Sequence, residues 1–377
     1  MDGNIEPIER LASKNARSMC FVIDSPINAL MASLIAKPDD SVHLIYALDP
    51  IRKDVDEYFS VCRALLDGIS VVSENLIEID SARYWAGHTG DLVLAARQAL
   101  KPLVMRHSSK TIYFGNCLTN PVALAMKRFV NVNHLYHSPN DFVHVLFPRA
   151  NPYKFHLKSL VKRVTRKELR AVERKGLPIY TLLNLLDSNE FAYLDFNSFS
   201  SNSVETMLVE LSRQLDAKNS NIMLLLSGDE PEPGDKNHSN IAKYLQPHLE
   251  ALQKLHSEQR LQQSTVWIKE HKSYLPLASG ERALLSEGFS KLGCEVKFIS
   301  DYLPENCRLL PGECILKYCT FDFIVAEPSS LLLNVSSGVS SVAAASPFIP
   351  YRDPDQVGRN NEFLKINELL VRQCRVF

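Results

Sequence analysis

Lys269, His271 and Lys272 follow an apolar run in the segment WIKEHKSY, which starts at Trp267. Further on, LPGECILKYCTFDFIVAEPSSLLLNV, from Leu310, carries Glu313 and closes a second apolar run with Ser329 and Ser330. Cationic side chains after one strand and paired hydroxyls after another are groups suited to an anionic ligand. In an open α/β sheet such groups gather where strands end and helices begin, because free backbone N–H groups and the positive end of the helix dipole meet there. A nucleotide phosphate is the first ligand this arrangement suggests.

The elements that must position these groups alternate along the chain. SMCFVID, SVHLIYAL, SVVSENLIEI, TIYFGN and VNVNHLYH read as buried strands, with helical stretches between them such as PINALMASLIAK and DLVLAARQALKPLV. Ser25 is a candidate helix cap there, with Pro26 at a first-turn position. From about 150 to 200 the pattern loosens, and LPIYTLLNLLDSNEFAYLDF reads as a crossing between domains. A second alternation begins with the helix SVETMLVELSRQL and runs through NIMLLLSG, STVWIKEH, CEVKFI, FDFIVAE and SVAAAS. NNEFLKINELLVRQC reads as a final amphipathic helix. Repeated βα units imply parallel sheets. The expected domains are 1–185, 186–350 and a terminal helix at 351–377.

A chain of 377 residues is long enough for two such cores. Its formal charge of -1 leaves no global footprint of a nucleic-acid binder. The eight cysteines form no C-x-x-C pair and several lie in apolar runs, which suits reduced, buried thiols in a cytoplasmic protein. No apolar run approaches a membrane span, so the chain is expected to be soluble or attached at a surface.

The motifs resemble those of bacterial GT-B sialyltransferases and polysialyltransferases. SPINALMA after the first strand looks like their TPLQLLNA-type opening, and KEH stands where they carry Lys-x-His-Pro. LPGECILKY is similar to their P-x-E segment, and EPSS matches their paired serines. The resemblance implies an α/β GT-B architecture: two Rossmann-like domains with parallel sheets facing a central cleft, and a C-terminal helix crossing back. It implies a glycosyltransferase that needs no metal and uses a CMP-activated acidic sugar, sialic-acid-like or Kdo-like, to extend a bacterial surface polysaccharide or lipooligosaccharide. Other readings are a UDP-sugar transferase or epimerase of the same fold, and a degenerate member that only binds nucleotide or glycan.

On this reading Lys269, His271 and Lys272 stabilise charge on the departing phosphate, with His271 as hydrogen-bond or proton donor. Ser329 and Ser330 cradle the same phosphate, and Glu313 accepts from the ribose hydroxyls. Ser227 and Gly228 approach the donor through backbone N–H groups. Ser25, Asn28 and Asn116 lie on the acceptor side of the cleft.

Two departures from the family matter. Lys272 replaces the proline after the motif histidine, and the acidic pair followed by glycine that supplies a general base is absent. HSPNDF stands in its place, so Asp141, ahead of His137, is the expected proton acceptor. The missing motif leaves both inverting and retaining routes open.

The segment from Lys154 to Lys175 holds nine Lys/Arg against Glu168 and Glu173. Its basic helix suits a solvated face, or contact with an anionic inner-membrane surface or acidic glycan; it lacks the interleaved aromatics of a nucleic-acid binder. The Asp353 and Asp355 spacing suits a turn better than a metal site. P-loop, G-x-G-x-x-G and G-x-S-x-G fingerprints are missing.

Overall fold

Two runs of strand and helix alternation build two parallel sheets in the computed structural model of the chain. The structure describes residues 16–48, 55–78, 89–107, 111–115, 125, 132–136, 179–182, 191–215, 219–226, 240–259, 263–270, 277–326, 331 and 343–345. The expected terminal helix and the basic segment 154–175 lie outside them, as do Asp353 and Asp355.

The first sheet contains β1 (Ser18–Ile23), β2 (Ser41–Leu48), β3 (Val71–Glu78), β4 (Thr111–Gly115), β5 (Val132–Tyr136), β6 (Ile179–Thr181) and β7 (Phe191–Tyr193). Their order across the sheet is β3-β2-β1-β4-β5-β6-β7. The strands β6 and β7 come from the stretch expected to be an interdomain crossing, so the first sheet runs past residue 185. Each spans only three residues, too few for a two-residue period to stand out from the apolar run around it.

The second sheet contains β8 (Ser220–Leu225), β9 (Ser264–Lys269), β10 (Cys294–Phe298), β11 (Phe323–Ala326) and β12 (Ala343–Ala345), in the order β10-β9-β8-β11-β12. The helices are α1 (Pro26–Ile35), α2 (Val55–Leu65), α3 (Thr89–Arg106), α4 (Asn202–Gln214), α5 (Asn240–Gln259), α6 (Ser279–Ser290) and α7 (Gly312–Tyr318). Asp56 and Glu57 in the first turn of α2, and Arg63 in its last, match the helix dipole. Ser201 caps α4 by accepting from the Val204 N–H at 3.1 Å.

Strand alternation sorts the side chains into layers. Met19, Phe21 and Ile23 enter one cluster with α1 and α2, whereas Cys20 and Val22 enter another with α3. In β9, Trp267 joins the first cluster while Val266 and Ile268 pack with α5 and α6. Both sheets are therefore covered on both faces, as parallel sheets require. The cluster between the sheets is continuous from Phe21 to Trp267 and Ile324.

Polar contacts reinforce this shared layer. Ser201 Oγ donates to the Ala64 carbonyl at 2.7 Å, and Asp67 accepts from the Ser203 N–H and hydroxyl at 3.0 Å. Glu57 Oε1 accepts from the Leu309 N–H at 2.8 Å. Cys20, Cys62, Cys294, Cys307, Cys314 and Cys319 are buried free thiols, and burial pushes the Cys319 thiol up to about 12.

Candidate functional site

Strand order reverses between β1 and β4 in the first sheet and between β8 and β11 in the second. At such switch points the helices leave in opposite directions and open a crevice at the carboxyl ends of the strands.

The first junction is built from Asp24, Ser25, Asn28 and Gly115. Ser25 has the extended backbone of an N-cap, yet its side chain makes no capping bond and its Oγ is buried without a hydrogen-bond partner. The expected cap is thus formed by the backbone alone, the Asn28 N–H donating to the Ser25 carbonyl at 3.0 Å. Asn28 is fully buried; its Nδ2 donates to Asp24 Oδ1 at 2.5 Å, and its Oδ1 has no partner. Gly115, the last residue of β4, makes room for this amide, because a Cβ there would collide with it. Asp24 was not among the sequence candidates, although its place between a strand and Ser25-Pro26 marks it as a crevice residue.

The second junction is richer in charge. Lys269, the last residue of β9, is buried, and its Nζ donates to the Glu270 carbonyl at 3.1 Å and the Arg308 carbonyl at 3.2 Å. Burial pushes its pKa down, opposed by the carboxylates of Glu270, Glu57 and Glu313. Lys269 thus points into the layer between the sheets, on the side of Trp267. Glu313 is buried in the first turn of α7, within the electrostatic reach of Lys269. The two candidates are brought together.

Glu270 follows on the opposite face. Its Oε1 accepts from the Ser300 hydroxyl at 2.5 Å and from Arg282 Nη2 at 3.4 Å. Arg282 also donates to Ser300 Oγ at 3.1 Å and Asp301 Oδ1 at 2.6 Å, and its guanidinium lies 4.1 Å from the Phe298 ring centroid. The Glu270 Oε2 atom is buried with no hydrogen-bond partner among the described residues. Sequence reasoning passed over Glu270, Arg282 and Ser300. The signal available was alternation in β9, which sends Lys269 and Glu270 to opposite faces.

His271, Lys272, Ser227, Gly228, Ser329, Ser330, Asn116, His137 and Asp141 lie outside the described residues. In sequence, Ser227 and Gly228 follow β8 and the two serines follow β11, strands that pair directly through Leu225 and Ala326. No group of three or more His, Cys, Asp or Glu side chains suited to a metal occurs among the described residues. No helix among them is long and apolar enough to cross a membrane. A surface cavity of about 510 Å³ lined by Leu44, Arg63, Asp67 and Glu74 lies at the turn into β3, away from the carboxyl ends of the strands.

No family model matches the chain, and no curated protein matches it in sequence. Solved structures do match. One is an α/β-galactoside α-2,3-sialyltransferase from the luminous marine bacterium Photobacterium phosphoreum, with a TM-score of 0.53 and 11% identity over 96% of this chain and 99% of that one. The fold is GT-B. A second GT-B structure, the 2,6-sialyltransferase of Photobacterium sp. JT-ISH-224 in a ternary complex with CMP and lactose, has a TM-score of 0.50 and 12% identity over 96% of this chain and 78% of that one. At such identities the likeness establishes the GT-B fold and the expected pair of Rossmann-like sheets.

Proposed function

We propose that this chain is a GT-B glycosyltransferase that transfers a sialic-acid-like or Kdo-like sugar from a CMP-activated donor to a glycan acceptor of a bacterial surface polysaccharide or lipooligosaccharide. The observation that carries the reading is the order of KEH, P-x-E and EPSS along the second sheet of a fold whose solved counterpart holds CMP and lactose. The β8 and β11 ends that precede Ser227 and Ser329 are neighbours, as a shared phosphate site needs.

The donor belongs to the second sheet. Ser329, Ser330, His271 and Lys272 hold the phosphate, with the backbone at Ser227 and Gly228 beside them, and Glu313 accepts from the ribose. Lys269 supports this site from beneath by fixing the Arg308 carbonyl and balancing Glu313. In an inverting transfer the acceptor oxygen bonds to the anomeric carbon as the bond from that carbon to the phosphate oxygen breaks. The bond pair leaves with CMP, where His271 stabilises or protonates the oxygen, and the acceptor proton passes to Asp141 or His137. Ser25, Asn28 and Asn116 are assigned to the acceptor side, Asn28 acting from beneath the surface because it is fully buried. The basic segment 154–175 is assigned to an anionic membrane surface or acidic glycan, and the chemistry assigned to these residues uses no metal.

Donor hydrolysis by the wild type and by His271→Ala, Asp141→Ala and His137→Ala tests this. Turnover lost with His271→Ala and with one of the other two supports the transferase. Absence of wild-type turnover with every CMP-linked acidic sugar, alongside retained CMP binding, means a binding protein instead.

A further inference from the structure

The proposed donor contacts reach the phosphate and the ribose but leave the base unread. The second sheet supplies a direction for it. A phosphate at the β8 and β11 ends lies two strand spacings from the gap between β9 and β10, roughly 10 Å at about 4.8 Å per strand. That is the scale on which a nucleotide extends from phosphate to base. Glu313 is within electrostatic reach of Lys269, the last residue of β9, so a ribose held there lies on the β9 side of the phosphate, and a base that continues across the strand ends meets Glu270 on the face opposite Lys269.

Glu270 and Ser300 follow the ends of β9 and β10. Glu270 is 2% exposed, and its Oε1 is taken by Ser300 and Arg282. Arg282 divides itself between Glu270 and Asp301, two carboxylates for one guanidinium, at 3.4 Å and 2.6 Å. The carboxylate is thereby fixed in orientation while its Oε2 remains a buried acceptor unpaired among the described residues. A buried acceptor without a partner is costly, and the usual resolution is a donor brought by a ligand or partner group.

We infer that Glu270 reads the nucleobase of the donor by accepting a hydrogen bond from the 4-amino group of cytosine, with Ser300 and Arg282 as its positioning residues. Cytosine carries an N–H donor at this edge, and a carboxylate is its natural acceptor. Uracil presents a carbonyl oxygen at the same place, which would face Oε2 acceptor to acceptor. Glu270 therefore selects against uridine nucleotides as well as for cytidine ones.

This inference rests on the proposed CMP donor, and the two fail differently. Calorimetry is run with CMP, UMP and the pyrimidin-2-one analogue of CMP that lacks the 4-amino group, on the wild type, Glu270→Gln and Ser300→Ala. The wild type is expected to bind CMP at least about tenfold more tightly than UMP or the analogue. Glu270→Gln loses most of that preference, because its amide can turn either its oxygen or its NH2 to the base and so meets cytosine and uracil alike. Ser300→Ala, which keeps the carboxylate but frees its orientation, loses part of the preference and serves if Glu270→Gln does not fold. A wild type that binds neither CMP nor UMP overturns the donor reading and this inference with it. Tight CMP binding with an unchanged preference in both variants overturns the role of Glu270 alone, as does a wild type that prefers UMP.

Discussion

The two strand-end junctions solve the same structural problem with different chemistry. At the first, a single carboxylate, Asp24, meets a neutral amide, Asn28, fitted against a glycine. At the second, buried Lys269 lies within electrostatic reach of Glu270, Glu57 and Glu313, and Arg282 serves Glu270 and Asp301. Among the described residues, the neutral Asn28 amide beside Asp24 suits hydroxyl-rich ligands, whereas fixed charges of both signs suit a nucleotide. The contrast matches the proposed division into acceptor and donor sides.

The largest effect that would break this contrast comes from Lys269→Met. Two buried carbonyls would lose their donor, so a loss of about 1 to 3 kcal/mol is expected in denaturant unfolding. A loss no greater than that of a surface substitution would mean that the charge cluster at the second junction is not a stabilising unit.

Gly115→Ala probes the neutral junction. The added Cβ meets the Asn28 amide, with an expected cost of about 1 to 3 kcal/mol. Combining it with Asn28→Ala should remove part of that cost, since the colliding amide is gone. Purely additive losses would place the strain elsewhere.

A smaller effect is expected for Glu313→Gln, read in binding rather than stability. CMP affinity should fall about tenfold, and the preference for CMP over its 2′-deoxy form should shrink. An unaltered preference would remove Glu313 from the ribose.

The smallest effect lies far from both junctions and serves as a control. Burial raises the Asp40 pKa, but hydrogen bonds from the Arg17 guanidinium and from the Lys37 and Arg17 N–H groups outweigh it, leaving a value of about 2 against an ordinary 3.8. A depressed carboxylate pKa contributes stability above the unfolded value, and that contribution is lost as pH falls toward the folded value. Arg17→Met should thus melt below the wild type at neutral pH and approach it between about pH 4 and pH 2. A constant difference across that range would contradict the pairing.

Much of the architecture was legible because β1, β2, β8 and β9 are long enough for their burial pattern to dominate composition. The three-residue strands β6 and β7 were not, and they moved the edge of the first sheet beyond the expected boundary. At the sites, residue type picks out strand ends but not the direction of each side chain. Lys269 reads as a phosphate ligand in sequence, yet it lies on the buried face of a strand covered on both sides. Glu270, silent in the motif, acquires a role only because Ser300 and Arg282 arrive from the 3-10 turn after β10 and from α6, a convergence that spacing along the chain does not encode. Ser25 reads as a cap, but its hydroxyl stays unpaired because the backbone already closes the first turn.

The central claim is that the second sheet holds a CMP-activated donor. Calorimetric titration of the wild type with CMP and with UDP tests it most directly. The account predicts saturable CMP binding, weakened by Ser329→Ala with Ser330→Ala, and little response to UDP. Tight UDP binding with no response to CMP would contradict it.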